Sequence, residues 1–562
     1  MLSNHNASGD GSGVWLTKAD WVVATLLVVA TAGFVITHIH RPILPMEDAS
    51  MLLRYSQNVA RGHGIVWNVG EHPVEGATDF LYMLLIGVIS GATKIGVKPV
   101  AAGLLLVSHL TSVAVLYAAL RRFYRAPLLL AAGFAAMLGA GLGYHYVDTA
   151  FSAPFYALFA LLTWCVGTEC ILEGVTWRRA IGFGSLGFVT GLIRPDGVLL
   201  AGLMLCSTVY GVRSGWDARR RLIVSFGTIF AALGGAYFFW RLHYFGYPFP
   251  NPYYIKHVGG LQLSGLKLSA RAIVEMLLPV LPLAALGFRN RVAFRQLMIW
   301  LITVGPFTAV WMMISLDNNH FSRFQYVMVP LSLLTLGGLA AEWWRELEAR
   351  ETEERIGGLR LSLGGLFMGL VVCAIYYNMH LYLRPFSNLG AQDLAARLKP
   401  FAGKNYTMVV TEAGDLPFYS EWRAVDALGL NDAYIAHHNR RPSDEYLDSY
   451  RPEIILYRVW GEFVSVDEFQ AQLGGADGKT DNFLTTNDMM LDRYARQRGY
   501  VLAAIWGASL CEADVYWVRS DFSDRDTILS AIRDHPYYTQ ATGQLAFDFR
   551  GVAAPTVPCL VH

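Results

Sequence analysis

The chain has 562 residues, 54% of them hydrophobic and 16% charged, with a formal net charge of +1. Such a sequence is too apolar and too sparsely charged for an ordinary soluble protein, and it reads as a multi-pass membrane protein. Its basic residues fall in short separate clusters, which argues against a nucleic-acid partner, because phosphate backbones need a concentrated basic surface.

The first apolar run, about Trp21 to Ile39, is long enough to span and has no small-residue cleavage site after it. It is therefore expected to stay as an anchor, preceded by a disordered tail of about 15 residues. Further apolar runs lie near 99–120, 127–144, 153–172, 180–193, 197–212, 222–243, 273–288, 296–316, 324–340 and 361–380. With the first run they predict about eleven transmembrane helices, each near the ~20 residues that a bilayer requires. The segment 79–92 is assigned to an interfacial helix on the outer face, since counting it as a span would put Arg121, Arg122 and Arg125 outside.

With that assignment the inside loops carry the arginines. They hold Arg121, Arg122 and Arg125; Arg178 and Arg179; Arg213, Arg219, Arg220 and Arg221; Arg289, Arg291 and Arg295; and Arg345, Arg350, Arg355 and Arg360. The N-terminus is then cytoplasmic, and the loops 40–98, 145–152, 194–197, 244–272 and 317–323 face outward.

After about residue 381 the composition becomes that of a soluble domain. "YTMVVTEAGDLPFYSEWRAVDALGLNDAYIA" predicts a strand, a Gly-Asp turn, a second strand and a helix start, and "RPEIILYRV" another buried strand. The fold class expected is thus a polytopic α-helical membrane protein with a C-terminal extracytoplasmic α/β domain. Its division is 1–380, a transmembrane catalytic domain with first outer loop 40–98, and 381–562, the α/β domain. Cys511 and Cys559, in that extracytoplasmic part, form either a disulfide or two free thiols.

Two adjacent carboxylates, Glu47 and Asp48, stand where the first span ends. One of them could cap the helix predicted in "DASMLLRYSQNVARG", whose end is marked by Gly62 and Gly64. Capping does not explain both. Adjacent carboxylates raise one another's pKa, and one beside an outer-face cavity could take a proton from a sugar hydroxyl. The following "GHGIVWNVGEHPVEGATDF" supplies flexible turns, aromatics suited to sugar faces, and Asn68, Glu71, Glu75 and Asp79.

In order along the chain, "EDASMLLRYSQNVARGHGIVWNVGEHPVEGATDF", "GLIRPDG", "FPNPYYIK", "DNNHFSRFQYVMVP" and "EAGDLPFYSEWRAVDALGLNDAYIA" resemble the polytopic GT-C glycosyltransferases that use polyprenyl-phosphate sugars. The branch with the mycobacterial terminal arabinofuranosyltransferase is the nearest in motif. Departures are Glu47 at the first acidic position, "AFSAP" near Ser152, and Thr78-Asp79 for a Thr-Asn pair.

The resemblance implies a general base at Asp48, with Glu47 as neighbour or second candidate. It implies donor-phosphate contacts from Lys256 with Tyr253 and Tyr254, and alternatively from Arg323 and His320. Arg54, Trp67, Asn68, Glu75, Asp79 and Arg194 complete the expected substrate-binding set. Beside these stand plainer readings: Lys256 as an interfacial lysine, Arg194 paired with Asp196 in a charged turn between two short helices, and Asp415 and Asp426 as turn residues. No metal-ligand spacing is present, so a divalent metal is open and not required.

The expected activity is transfer of a sugar, arabinofuranose by the branch, from a polyprenyl-phosphate donor to a cell-envelope glycan or lipid acceptor. It would take place on the outer face of the bacterial plasma membrane. The alternative is a transporter or flippase of lipid-linked glycans, against which stand the absence of internal repeats and the gathering of polar groups on one side. The C-terminal domain is expected to bind acceptor glycan through aromatics such as Trp422, Tyr457 and Trp460.

Overall fold

The computed structural model describes residues 16–40, 43, 45–257, 260–314, 316, 319–349, 355–381, 389–460, 483–509 and 512–534. The expected N-terminal tail and both Cys511 and Cys559 lie outside them. The chain divides into two compact units. One comprises Met1–Arg41, Ala102–Tyr237 and Val258–Leu383; the other comprises Pro42–Ala101, Phe238–His257 and Arg384–His562. The first loop, placed with the membrane domain by the sequence, shares a unit with the C-terminal α/β region.

Each predicted apolar run is largely helical, but among the described residues six helices are long and apolar enough to cross a membrane alone. These are Lys18–His38, Val97–Tyr124, Leu128–Thr149, Ala153–Glu173, Gly215–Phe245 and Arg291–Met312. A seventh span is available if Leu263–Leu277 and Leu281–Phe288, bent by 91°, count as one.

Of the roughly eleven predicted runs, three fall short for physical reasons. The runs 180–193 and 197–212 become Trp177–Ile193 and Pro195–Gly211, 17 residues each, divided at Arg194. At 1.5 Å per residue such a helix covers only about 26 Å of a hydrocarbon core about 30 Å thick. The run 324–340 sits in Met328–Ala349, whose second half carries Glu342, Arg345, Glu346 and Glu348. The chain is nonetheless a multi-pass helical membrane protein.

In the first unit several arginines of the predicted inside loops are paired. Arg121 pairs with Asp20 at 2.5 Å, Arg122 and Arg179 both pair with Glu169 and Glu173, and Arg289 pairs with Glu346 at 2.8 Å. Arg221 donates to the carbonyl of Val175, and Arg295 to that of Tyr210. Loops that the sequence puts on one side of the membrane thus share carboxylates and helix-end carbonyls.

In the second unit, helix Glu47–Ala60 packs against helix Phe80–Thr93. Close approach depends on Gly87 and Gly91, where an added Cβ would lie 2.7 Å from the Val59 side chain and 3.1 Å from the Ala60 carbonyl oxygen. Ser56 Oγ donates to the Met83 carbonyl at 2.9 Å. The first helix ends as expected, with Gly62 and Gly64 at φ of 83° and 85°. Its start differs from expectation: Met46 is the N-cap, and both carboxylates fall in the first turn, where they complement the helix dipole without capping it.

The C-terminal sheet comprises β1 (Thr407–Val410), β2 (Arg423–Asp426), β3 (Ile454–Trp460), β4 (Val501–Ser509) and β5 (Glu512–Val518). Their order is β2-β1-β3-β5-β4. The first three are parallel, with Val409 opposite Val425 and Ile455, and β5 runs antiparallel to both β3 and β4. The predicted strands at 407, 423 and 454 are all present, and the region is mixed α/β. Trp422 and Tyr457 are fully buried, which removes them as surface contacts for glycan; Trp460 ends β3, and its side chain is outside the described residues.

Candidate functional site

The acidic pair opens helix Glu47–Ala60, and successive residues on a helix point about 100° apart. The fold gives the two carboxylates different surroundings accordingly. Glu47 accepts hydrogen bonds from two consecutive backbone amides, that of Gly414 and, at 3.0 Å, that of Asp415. These are the first amides of the short helix Asp415–Ser420. Asp415 is itself fully buried and accepts from Ser50 Oγ at 2.5 Å, one turn along the helix from Glu47. It is more than the turn residue that sequence suggested.

Burial, with the Asp415 carboxyl beside it, pushes Glu47 up to about 8, and burial pushes Asp415 up to about 7. The pair therefore retains a proton near neutral pH. Gly414 is required by contact: an added Cβ would lie 1.9 Å from the Glu47 carbonyl oxygen. Asp48, the next residue of the helix, is half-buried.

Arg54, Trp67 and Asn68 come together around protein groups. The buried Arg54 guanidinium donates to the carbonyls of Trp67, Pro417 and Trp422 and to Asn68 Oδ1, at 2.6–2.9 Å, and lies 4.5 Å above the Trp67 ring. Trp67 Nε1 and Asn68 Nδ2 both donate to the Ala424 carbonyl, and Asn68 Oδ1 accepts from the Ala424 amide at 3.0 Å. These three residues tie the first loop to the edge of β2.

Glu75 is a second tie. It pairs with the buried Arg241 at 3.0 Å, and its backbone carbonyl accepts from the Asn251 amide at 3.0 Å. Burial pushes its carboxyl up to about 7 against the pull of Arg241. Asp79 is the N-cap residue of Phe80–Thr93 and makes no side-chain capping bond there.

"FPNPYYIK" forms the helix Asn251–Lys256, with Lys256 in its last turn. Tyr254 packs on His437, with centroids 4.4 Å apart, and Tyr253 stacks on His257. His437 had no signal in the sequence; only the fold sets its ring against Tyr247, 3.8 Å away and stacked. Arg241 and Gly414 were likewise invisible as partners, because each lies far along the chain from the group it touches.

In the first unit, Arg194, Arg323 and His320 converge on aromatic rings. Arg194 pairs with Asp196 at 2.9 Å across Pro195, as the charged-turn reading expects. The Arg194 and Arg323 guanidiniums each lie 4.9 Å from the Phe324 ring, and Arg323 lies 4.0 Å over Phe151, on which His320 also stacks. Two guanidiniums around one ring provide fork-shaped donor sets of the kind that binds phosphate oxygens. Among the described residues no group of three or more His, Cys, Asp or Glu is placed to hold a metal ion.

A model of a domain of unknown function, DUF8728, matches residues 384–524. No curated protein matches the chain by sequence. In structure the chain is similar to ArnT from Cupriavidus metallidurans in the apo state, with TM-score 0.55 and 14% identity over 89% of this chain and 98% of that one. The same protein bound to undecaprenyl phosphate gives TM-score 0.55 at 13% identity, with the same coverage. The apo oligosaccharyltransferase of Archaeoglobus fulgidus gives TM-score 0.51 at 9% identity over 94% of this chain and 79% of that one. At such identities the likeness is one of fold. The chain has a GT-C-like fold: a polytopic helical body with a C-terminal mixed α/β region.

Proposed function

We propose that the protein is a membrane glycosyltransferase that moves a sugar from a polyprenyl-phosphate donor to a cell-envelope glycan or lipid acceptor on the outer face of the plasma membrane. The observation that carries this is the GT-C-like fold, shared along most of the chain with a protein that has been solved with undecaprenyl phosphate bound. Asp48 is the general base. It takes the proton of the acceptor hydroxyl as that oxygen bonds to the anomeric carbon, and the donor's phosphate leaves with the electron pair of the broken glycosidic bond. The leaving group is already an anion, so it needs cationic partners more than a proton. Lys256 with Tyr253 and Tyr254, in the same unit as Asp48, would supply them. Glu47, held by two amides, serves as the support of Asp48 and not as a second base. Arabinofuranose is the first donor sugar to examine.

The test is sugar transfer by purified protein with a panel of radiolabelled polyprenyl-phosphate sugars, comparing the parent with Asp48→Asn and Glu47→Gln. Consumption of one donor, abolished by Asp48→Asn with donor binding retained, is the expected result. If no donor is consumed, or both variants turn over at the parental rate, the catalytic reading fails and transport of lipid-linked glycans replaces it.

A further inference from the structure

Helix Gly215–Phe245 is a candidate span that exposes the aromatics Phe238, Phe239 and Trp240 in its last two turns. Where a span ends, the chain stands at headgroup depth, the zone in which aromatic and basic side chains collect. Residues 246–257, "GYPFPNPYYIKH", leave that end and contain no carboxylate. They expose Tyr247 and Phe249 and carry Lys256 and His257.

The C-terminal domain lays a second carboxylate-free segment on this loop, "AYIAHHNRR", residues 433–441. His437 stacks on Tyr247 and packs on Tyr254, and Arg440 donates to the His257 carbonyl at 3.0 Å. His438, Asn439 and Arg441 are exposed. Asn439 and Arg440 both have φ of 58°, a left-handed pair of non-glycine residues that its surroundings must hold in place. Among the described residues His257, His437, His438, Arg440 and Arg441 form no ion pair, whereas most other arginines of this domain do.

We infer that the turn His437–Arg441, together with the loop 247–257, is a docking surface for the headgroups of anionic phospholipids. The guanidiniums of Arg440 and Arg441 are complementary to the phosphodiester, and Tyr247 and Phe249 suit the apolar boundary beneath it. The contact would hold the C-terminal domain at the bilayer surface. It does not rest on the glycosyltransferase reading.

The test is hydrogen exchange, read by mass spectrometry, on the full chain in nanodiscs of phosphatidylcholine or of a phosphatidylcholine–phosphatidylglycerol mixture. Peptides covering 433–441 and 246–257 should exchange severalfold more slowly in the anionic discs, and high salt should remove the difference. Arg441→Glu, at an exposed position, should return the 433–441 peptide to its rate in phosphatidylcholine. Arg525→Glu, elsewhere in the domain, should leave the protection intact. If Arg441→Glu lowers the melting temperature in detergent, His438→Glu takes its place. Equal protection in both discs, protection in neither, or retention of protection by the variants overturns the inference. So does full protection in phosphatidylcholine discs on adding inorganic phosphate, which would make this a free-phosphate site.

Discussion

Arg54 was expected among the substrate-binding residues, yet the fold surrounds it with protein acceptors, so replacing it should cost stability before it costs substrate. In Arg54→Ala four hydrogen bonds disappear. Three of the acceptors keep another donor: the Trp67 carbonyl has Asn58, Asn68 Oδ1 has the Ala424 amide, and the Pro417 carbonyl has the Glu421 amide. The Trp422 carbonyl is then short of its guanidinium partner, at about 2 kcal/mol, and the three shared bonds cost ~0.5–1 kcal/mol each. Loss of the contact with the Trp67 ring adds ~1 kcal/mol. Against this, a buried cation, held down to about 10 by its burial, no longer has to be desolvated. The net loss is about 3 kcal/mol, which for a unit of this size is a fall in melting temperature of about 6–12 °C. Differential scanning fluorimetry of the purified protein measures it, with Arg54→Lys expected to recover less than half. A variant that melts with the parent but has lost donor binding would refute the reasoning and return Arg54 to the substrate.

Gly414→Ala should destabilise by about 3 kcal/mol, because the new methyl meets the Glu47 backbone, while Gly403→Ala, with open space around it, stays within about 0.5 kcal/mol in the same melting assay. The Glu47–Asp415 pair has folded pKa values of about 8 and about 7, above the ordinary carboxylate range. Its contribution to stability is therefore full below about pH 4 and is lost as pH rises through those values. The melting temperature should fall across that window, and Glu47→Gln should flatten the upper part of the profile; an unchanged profile in that variant would assign the slope to other groups. Arg241→Met leaves Glu75 buried without its cation and should cost about 3–5 kcal/mol, whereas the double variant Arg241→Met with Glu75→Gln, which removes both charges, should cost much less in parallel unfolding measurements.

The apolar runs determined the helical, multi-pass character, since a stretch near ~20 residues long without charge has few other stable states. The arginine clusters fall at helix ends, where Arg121 pairs with Asp20 and Arg179 with Glu173. Strands at 407, 423 and 454 and the helix stop at Gly62 and Gly64 were also local, set by β-branched runs and by positive φ. Span count was less legible, because composition does not show that Arg194-Pro195 cuts one apolar region into two 17-residue helices.

What only the tertiary structure decided is the character of each polar group in the first loop. Glu47 and Asp48 are neighbours with similar chemistry, and the sequence alone gives them like surroundings. The 100° step of the helix and the arrival of Gly414 and Asp415 from more than 360 residues away separate them. Arg54, Asn68 and Glu75 read as site residues because polar side chains in an apolar chain suggest function. They proved to satisfy backbone carbonyls and a buried guanidinium, since polar groups withdrawn from water must find partners, and those partners lie elsewhere in the chain.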